Sequence, residues 1–252
     1  QIKFVLEGVL IGLVAGISAI IYRFLLTKAE AFLFGTIKTI NGNFLYMFFW
    51  GVFIILLSLI IGKLIKFEPM ANGSGIPQVS GEMKGYLSQN PIKVLIAKII
   101  GGTLCIVSGF SLGREGPSIQ LGAMSAKLLA RIQKKGKTKE KVYLSCGAGA
   151  GLAAAFNAPL AGAMFTMEEI HKNFDGRIIV SVMTASITAD FLAKSIFGLS
   201  PVFHYTNLQT IPLKYFGLII ILGVILGVCG SIYNKVMVYS QHIYAKLNKI
   251  KT

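Results

Sequence analysis

The sequence predicts an all-α, polytopic membrane protein in which some helices are broken or re-entrant. Composition is the first sign. Of 252 residues, 54% are apolar and only 14% charged, against roughly a quarter charged in globular domains, and the mean hydropathy is +0.69. The second sign is arrangement. Residues 9–22, 45–61 and 216–228 are long apolar blocks that, with their flanks, suffice to span a bilayer as helices. None alternates with period two, so a barrel strand is excluded. The third sign is a set of interruptions, in which glycine, polar residues and proline fall together between apolar stretches.

Taken in order, residues 4–31 read as one long helix, with Gly12 and Gly16 at the spacing that lets helices approach closely in lipid. Asn41, Gly42 and Asn43 make a turn. A second helix over 44–64 returns to a basic end at Lys63 and Lys66. Residues 68–77 cannot continue it. Gly73 and Gly75 loosen the backbone, Ser74 offers a hydroxyl, and Pro77 sits where a short helix can start. Alone, this stretch also fits a surface loop. Pro91 then opens a helix to residue 107. Lys98 inside it requires either a buried counter-charge or a route to the interface for its ammonium.

Residues Gly113, Arg114, Glu115, Gly116 and Pro117 form the second interruption and the centre of the sequence. Two charges in so apolar a chain demand a function. Pro117 suits the first turn of a helix, and the glycines leave backbone N–H groups approachable. The stretch therefore reads as a helix N-terminus opened at membrane depth, which is an anion site. Glu115 stands where an anion would stand; the plainer alternative is that it caps its helix and pairs with Arg114. Two such breaks in one membrane protein point to a transporter site.

A helix to residue 133 and a solvated basic loop over 134–141 follow. Residues 147–163 are almost all small. Gly149, Gly151 and Ala154 match a dinucleotide-binding fingerprint, with Glu169 in the place of its acidic partner, but no strand precedes them and the chain is not α/β. Close helix packing is the reading kept. Asn157, Ala158 and Pro159 break this segment into a re-entrant pair that ends at Glu168 and Glu169. His171 is expected in a polar, solvated loop. A further helix covers 178–197, a polar loop with His204 covers 200–212, and the last helix covers 213–247.

The net charge is +15, and basic residues cluster in loops, as at 131–141 and 246–251. The positive-inside rule accounts for it without nucleic acid, and the charge can also draw anions to a vestibule. The last helix then runs inward. Gly223, Gly227, Ile232 and Tyr233 in it repeat Gly12, Gly16, Ile21 and Tyr22 at one constant offset. With the first helix running outward, this is an inverted repeat: residues 1–210 form a first repeat, and 211–252 the opening helix of a truncated second. The opening Gln1-Ile2-Lys3 shows no signal peptide, and its abruptness fits residues missing upstream. The three cysteines, Cys105, Cys146 and Cys229, read as small core residues.

With these residues on the page, the chain resembles the CLC family of chloride channels and chloride/proton antiporters. The likeness lies in Gly73-Ser74-Gly75-Ile76-Pro77, in Gly113-Arg114-Glu115-Gly116-Pro117, in the stretch through Asn157-Ala158-Pro159-Leu160-Ala161-Gly162 to Glu168-Glu169, and in the spacing of Lys98 before the second motif. The resemblance implies a CLC-type inverted-repeat helical bundle, here incomplete, and a homodimer with one anion pathway per subunit. It implies that Ser74, Gly75, Ile76 and Pro77 bound the inner part of an anion site. Gly113, Arg114, Gly116 and Pro117 bound its outer part, and Glu115 is gate and proton carrier. Glu169 falls at the inner proton-transfer position of the exchangers, with Glu168 the alternative donor. Ser74 is the residue typical of chloride-selective members. The family's later Gly-x-Phe-x-Pro motif and pore tyrosine are not found in this sequence.

The expectation is therefore a secondary transporter exchanging chloride for protons. A passive, voltage- or pH-gated chloride channel of the same family is the alternative, and an inactive half-protein or assembly fragment a third reading. No enzyme is expected, because no nucleophile–base pair, metal-ligand cluster or phosphate loop is found. No metal or organic cofactor is expected either; chloride is a substrate. The expected setting is the cell (inner) membrane with basic loops cytoplasmic, and the expected partners are chloride, protons, lipid and a second copy of the chain. The stretch by itself is not expected to transport.

Overall fold

The computed structural model describes residues 2–40, 42–172, 174–199 and 212–249, with side chains to residue 244. Every regular element among them is helical. The chain falls into two compact units, Gln1–Val202 and Phe203–Thr252.

The first unit opens with α1 (Ile2–Ile40), longer than the apolar pattern alone suggests. Thr27, Lys28 and Glu30 interrupt the hydropathy, but none is a helix breaker, so the backbone continues to the Asn-Gly-Asn turn. That turn includes residue 41, which lies outside the described residues. The Asn43 side chain accepts from the Leu45 amide at 3.1 Å and starts α2 (Phe44–Phe67). Leu57 is the one buried residue of α2, which packs on α4 and leaves most of its apolar surface exposed. A short 3₁₀ turn, Pro69–Ala71, leads to α3 (Ile76–Lys84). Asn90 caps α4 (Pro91–Val107), accepting from the Lys93 amide at 3.3 Å, with Pro91 in the first turn.

The interior consists of α5 (Glu115–Ile132) and α6 (Lys137–Phe156), where α6 is buried continuously from Tyr143 to Ala154. Asn157 adopts a left-handed conformation, φ 57°, and stops α6. The chain turns back as α7 (Pro159–Phe165) and a π-helical turn, Thr166–His171. This is the expected re-entrant pair. Asp175 accepts from the Arg177 amide at 2.8 Å and begins α8 (Gly176–Phe197). The expected loop over 200–212, with His204, lies outside the described residues up to 211. The second unit holds a 3₁₀ turn, Leu213–Tyr215, and α9 (Phe216–Lys249).

Ile2–Ile40, Phe44–Phe67, Gly176–Phe197 and Leu213–Tyr244 are each long and apolar enough to cross a membrane. Helices α5 and α6 have little apolar bulk because protein, not lipid, surrounds them. Their contact is backbone on backbone: a β-carbon on Gly122 would strike the Gly147 carbonyl, and one on Gly151 the Ser118 carbonyl. The predicted Gly12/Gly16 pair serves α1 against α8 in the same way, at Ala185 and Ala189.

Arg23 ties these layers together at the break. Its guanidinium donates to Asn157 Oδ1 at 3.2 Å and to the Ala154 carbonyl at 3.5 Å, and lies 4.3 Å from the centre of the Phe197 ring. A cation thus meets carbonyls at the C-terminus of α6, where the helix dipole favours it.

Replacing Gly12 by leucine drives a side chain into the Ala185 carbonyl and is expected to destabilise the bundle by about 3 kcal/mol, the upper range for overpacking. Gly35, also on α1, has open space around it, so Gly35→Ala is the neutral control. Thermal unfolding in detergent micelles checks both.

Candidate anion site

The two interruptions meet. At the first, Gly75 caps α3 with φ 101°, a left-handed conformation that favours glycine, and a side chain there would also strike Gln120. Pro77 occupies the first turn. The Ile76 N–H donates to Ser74 Oγ at 3.3 Å, so the serine oxygen is partly engaged by its own helix while its hydroxyl proton stays free to donate. At the second, Arg114 precedes α5, and Glu115, Gly116 and Pro117 form its first turn. A β-carbon on Gly116 would strike the Ser74 carbonyl. The start of α5 therefore lies directly against the residues that start α3, although some forty positions separate them in sequence.

Lys98 settles the choice that the sequence left open. Its side chain is buried, and its ammonium donates to the Gly73 carbonyl at 2.7 Å and the Ala71 carbonyl at 3.0 Å. It neither reaches an interface nor pairs with a carboxylate. It holds the backbone just before Ser74. Gln120 of α5 works beside it, donating to the Met70 carbonyl at 2.8 Å.

Arg114 does not pair with Glu115. Its guanidinium takes both oxygens of Glu30 on α1, at 2.6 and 2.7 Å, which leaves only the Arg114 backbone at the helix start. Glu115 is exposed, and its carboxylate lies over Gly113. A cavity of about 450 Å³ opens between the breaks, lined by Tyr22, Ser74, Lys98, Gly113, Glu115 and Pro117 among others. It combines a carboxylate at its edge, a buried ammonium, the Ser74 residue that precedes α3 and the N-terminus of α5. That combination suits a small anion in competition with a carboxylate.

Glu168 and Glu169 lie in the turn Thr166–His171, both exposed. That turn packs on α3 and α6, and α3 packs in turn on α5. His171 departs from expectation: it is half-buried, with Nδ1 3.1 Å from Ser145 Oγ on α6. Burial holds its imidazole below the ordinary histidine range, with Asp175 acting in the opposite direction. The re-entrant turn brings it back onto α6, which sequence distance concealed.

Tyr22, Gln120, Arg23 and Glu30 were not singled out from the sequence for the roles they take here. Their one sequence signal is polarity within an apolar or small-residue helix face, which identifies a buried contact but not its partner.

A family model described as voltage gated chloride channel matches residues 57–252. The chain is 31% identical, over 247 residues, to an H(+)/Cl(-) exchange transporter ClcA of Vibrio cholerae serotype O1, covering 96% of this chain and 53% of that protein. It resembles the crystal structure of a slow cyanobacterial Cl-/H+ antiporter with a TM-score of 0.82 at 28% identity, over 90% of this chain and 55% of that one. A CLC-type fluoride/proton antiporter gives a TM-score of 0.69 at 20% identity over the same shares, a likeness of fold. The chain spans about half the length of the curated relatives it matches.

Gly113 and Gly116 should tolerate alanine differently. A methyl at Gly113 meets only the movable end of Glu115, whereas one at Gly116 meets the Ser74 carbonyl. Gly116→Ala is expected to cost about 1–3 kcal/mol and Gly113→Ala much less. Parallel unfolding curves of the two variants check the close approach of the breaks.

Proposed function

This chain belongs to the voltage gated chloride channel family, and we propose that it serves chloride/proton exchange in the complete protein. One observation carries the reading: Ser74, just before α3, meets the start of α5 at Gly116, and the two line one cavity with Glu115 and Lys98. Chloride sheds water on entering, and N–H donors with the Ser74 hydroxyl replace that water in a low dielectric. The names of the relatives support antiport, and Ser74 supports chloride as the anion.

Glu115 links the two ions. Deprotonated, it carries the charge of chloride and competes for the same N–H groups. Protonated, it loses that attraction and swings aside. Anion and proton occupancy are then coupled through one carboxylate. Glu169 exchanges protons with the cytoplasmic side by a path separate from the anion route, at the end of the re-entrant pair. In this reading residues 1–210 are a first repeat and 211–252 open a second, the basic loops face the cytoplasm in a cell membrane, and the working unit is a homodimer.

The test is paired chloride and proton flux in liposomes, with protein expressed from its complete native reading frame. Glu115→Gln is expected to keep chloride flux, insensitive to pH and uncoupled from protons. Glu169→Gln is expected to keep chloride flux while proton flux falls roughly a hundredfold, the scale of a lost proton-transfer group. Uphill proton movement by Glu169→Gln would remove that residue from the mechanism. Chloride flux with no proton coupling in the unaltered protein would assign the passive channel instead.

A further inference from the structure

Lys127 projects from α5 and is wholly buried. Its ammonium meets one carboxylate oxygen of Glu82 on α3, and it donates to the Gln89 carbonyl at 2.7 Å. Glu140, in the first turn of α6, lies 3.8 Å away and also faces Arg131. The second oxygen of Glu82 accepts from Gln89 Nε2 at 3.0 Å. Gln89 Oε1 accepts from Gln120 Nε2 at 2.7 Å, and the same Gln120 nitrogen reaches the Met70 carbonyl. Gln89 Nε2 also donates to the Gln78 carbonyl inside α3 at 3.1 Å. A continuous polar line thus runs from the start of α6, through the buried Lys127–Glu82 pair, to the backbone just before Ser74. The anion and proton roles assigned above use none of Lys127, Glu82 or Gln89.

Helix α3 is nine residues long. A helix that short does not sustain itself, and its position is set by what holds it. Val79 packs in the core, and Ser145 Oγ contacts Met83 Sδ at 3.5 Å. Glu82 is its one ion-paired residue. The opposite end of the same rod carries Gly75 and Ile76, so a displacement at Glu82 is transmitted to the anion site.

We propose that Lys127 and Glu82 are positioning residues that set where the first turn of α3 stands opposite α5, and thereby set anion affinity from a distance. The inference rests on the anion-site reading above. A buried ion pair adds little net stability compared with apolar residues of the same shape, but removing one member leaves the other charge buried and uncompensated. The pair therefore acts on geometry, and a neutral pair should replace it.

The experiment uses protein expressed from its complete native reading frame, in detergent, with two readouts. Chloride affinity is measured by calorimetric titration with sodium chloride. Amide exchange is measured over residues 70–84, against α8 as internal control, without chloride. Lys127→Met is expected to weaken chloride binding about tenfold and to speed exchange over 70–84 while α8 stays unchanged. Lys127→Met with Glu82→Gln is expected to recover most of both losses. Should Lys127→Met not fold, Glu82→Gln alone carries the test, with the same local rise in exchange. The proposal is overturned if exchange over 70–84 and chloride affinity match the unaltered protein, if exchange rises equally in α8, or if the neutral pair is no better than the single variant. Absence of chloride binding by the unaltered protein would instead refute the anion-site reading, and the exchange measurement still decides whether the pair positions α3.

Discussion

A helix can be interrupted at membrane depth only if the protein satisfies the backbone groups that the interruption frees. This constraint shapes the first unit. Lys98 takes the Ala71 and Gly73 carbonyls, Gln120 takes the Met70 carbonyl, and Arg23 takes the Ala154 carbonyl. All three are side-chain donors on a neighbouring helix, and all three serve carbonyls. At the first break the carbonyls are met from behind, while the start of α5 opens on the cavity at Glu115, Gly116 and Pro117, and the proposed anion site rests on that polarity.

Such satisfaction needs close helices. Lipid supplies no hydrophobic drive for helix association, so contact depends on fit and polar bonding. Glycine and alanine bring α1 onto α8 and α5 onto α6 with backbones touching. The re-entrant turn can then fold back against α6, and the short α3 can pack on both α5 and the Glu169 segment. The glycines of these contacts, Gly12, Gly16, Gly122, Gly147 and Gly151, are not among the residues that line the cavity. They allow its walls to stand where Lys98 and Gln120 reach across.

Charge is distributed by the same logic. Arg114, beside Glu115 in sequence, is held by Glu30, so Glu115 has no cation from its own motif to fix it. Lys98 is held next to the cavity by two carbonyls, and no carboxylate among the described residues pairs with it. A lysine behind the cavity and an exposed carboxylate at its edge suit a site that the anion enters when the carboxylate leaves. The proposed exchange depends on that imbalance.

Class, breaks and most helix boundaries are legible in the order of residues along the chain. Long apolar blocks have one solution in a bilayer, and glycine, proline and capping asparagine act on the local backbone. Helices α2, α4, α5 and α8 accordingly lie within a few residues of their sequence-predicted bounds, and the break at 157–159 lies where expected. Helix α1 ran longer because hydropathy marks where lipid is, not where a helix stops. Partnership between side chains depends on how the helices pack. That packing gave Arg114 to Glu30 rather than Glu115, Lys98 to two carbonyls rather than an interface, and His171 to Ser145 rather than solvent. It also joined Lys127 to Glu82 across two helices. Side-chain chemistry states what a buried polar group needs, but the group that meets the need is selected by helices packing in three dimensions, and no spacing along the chain encodes it.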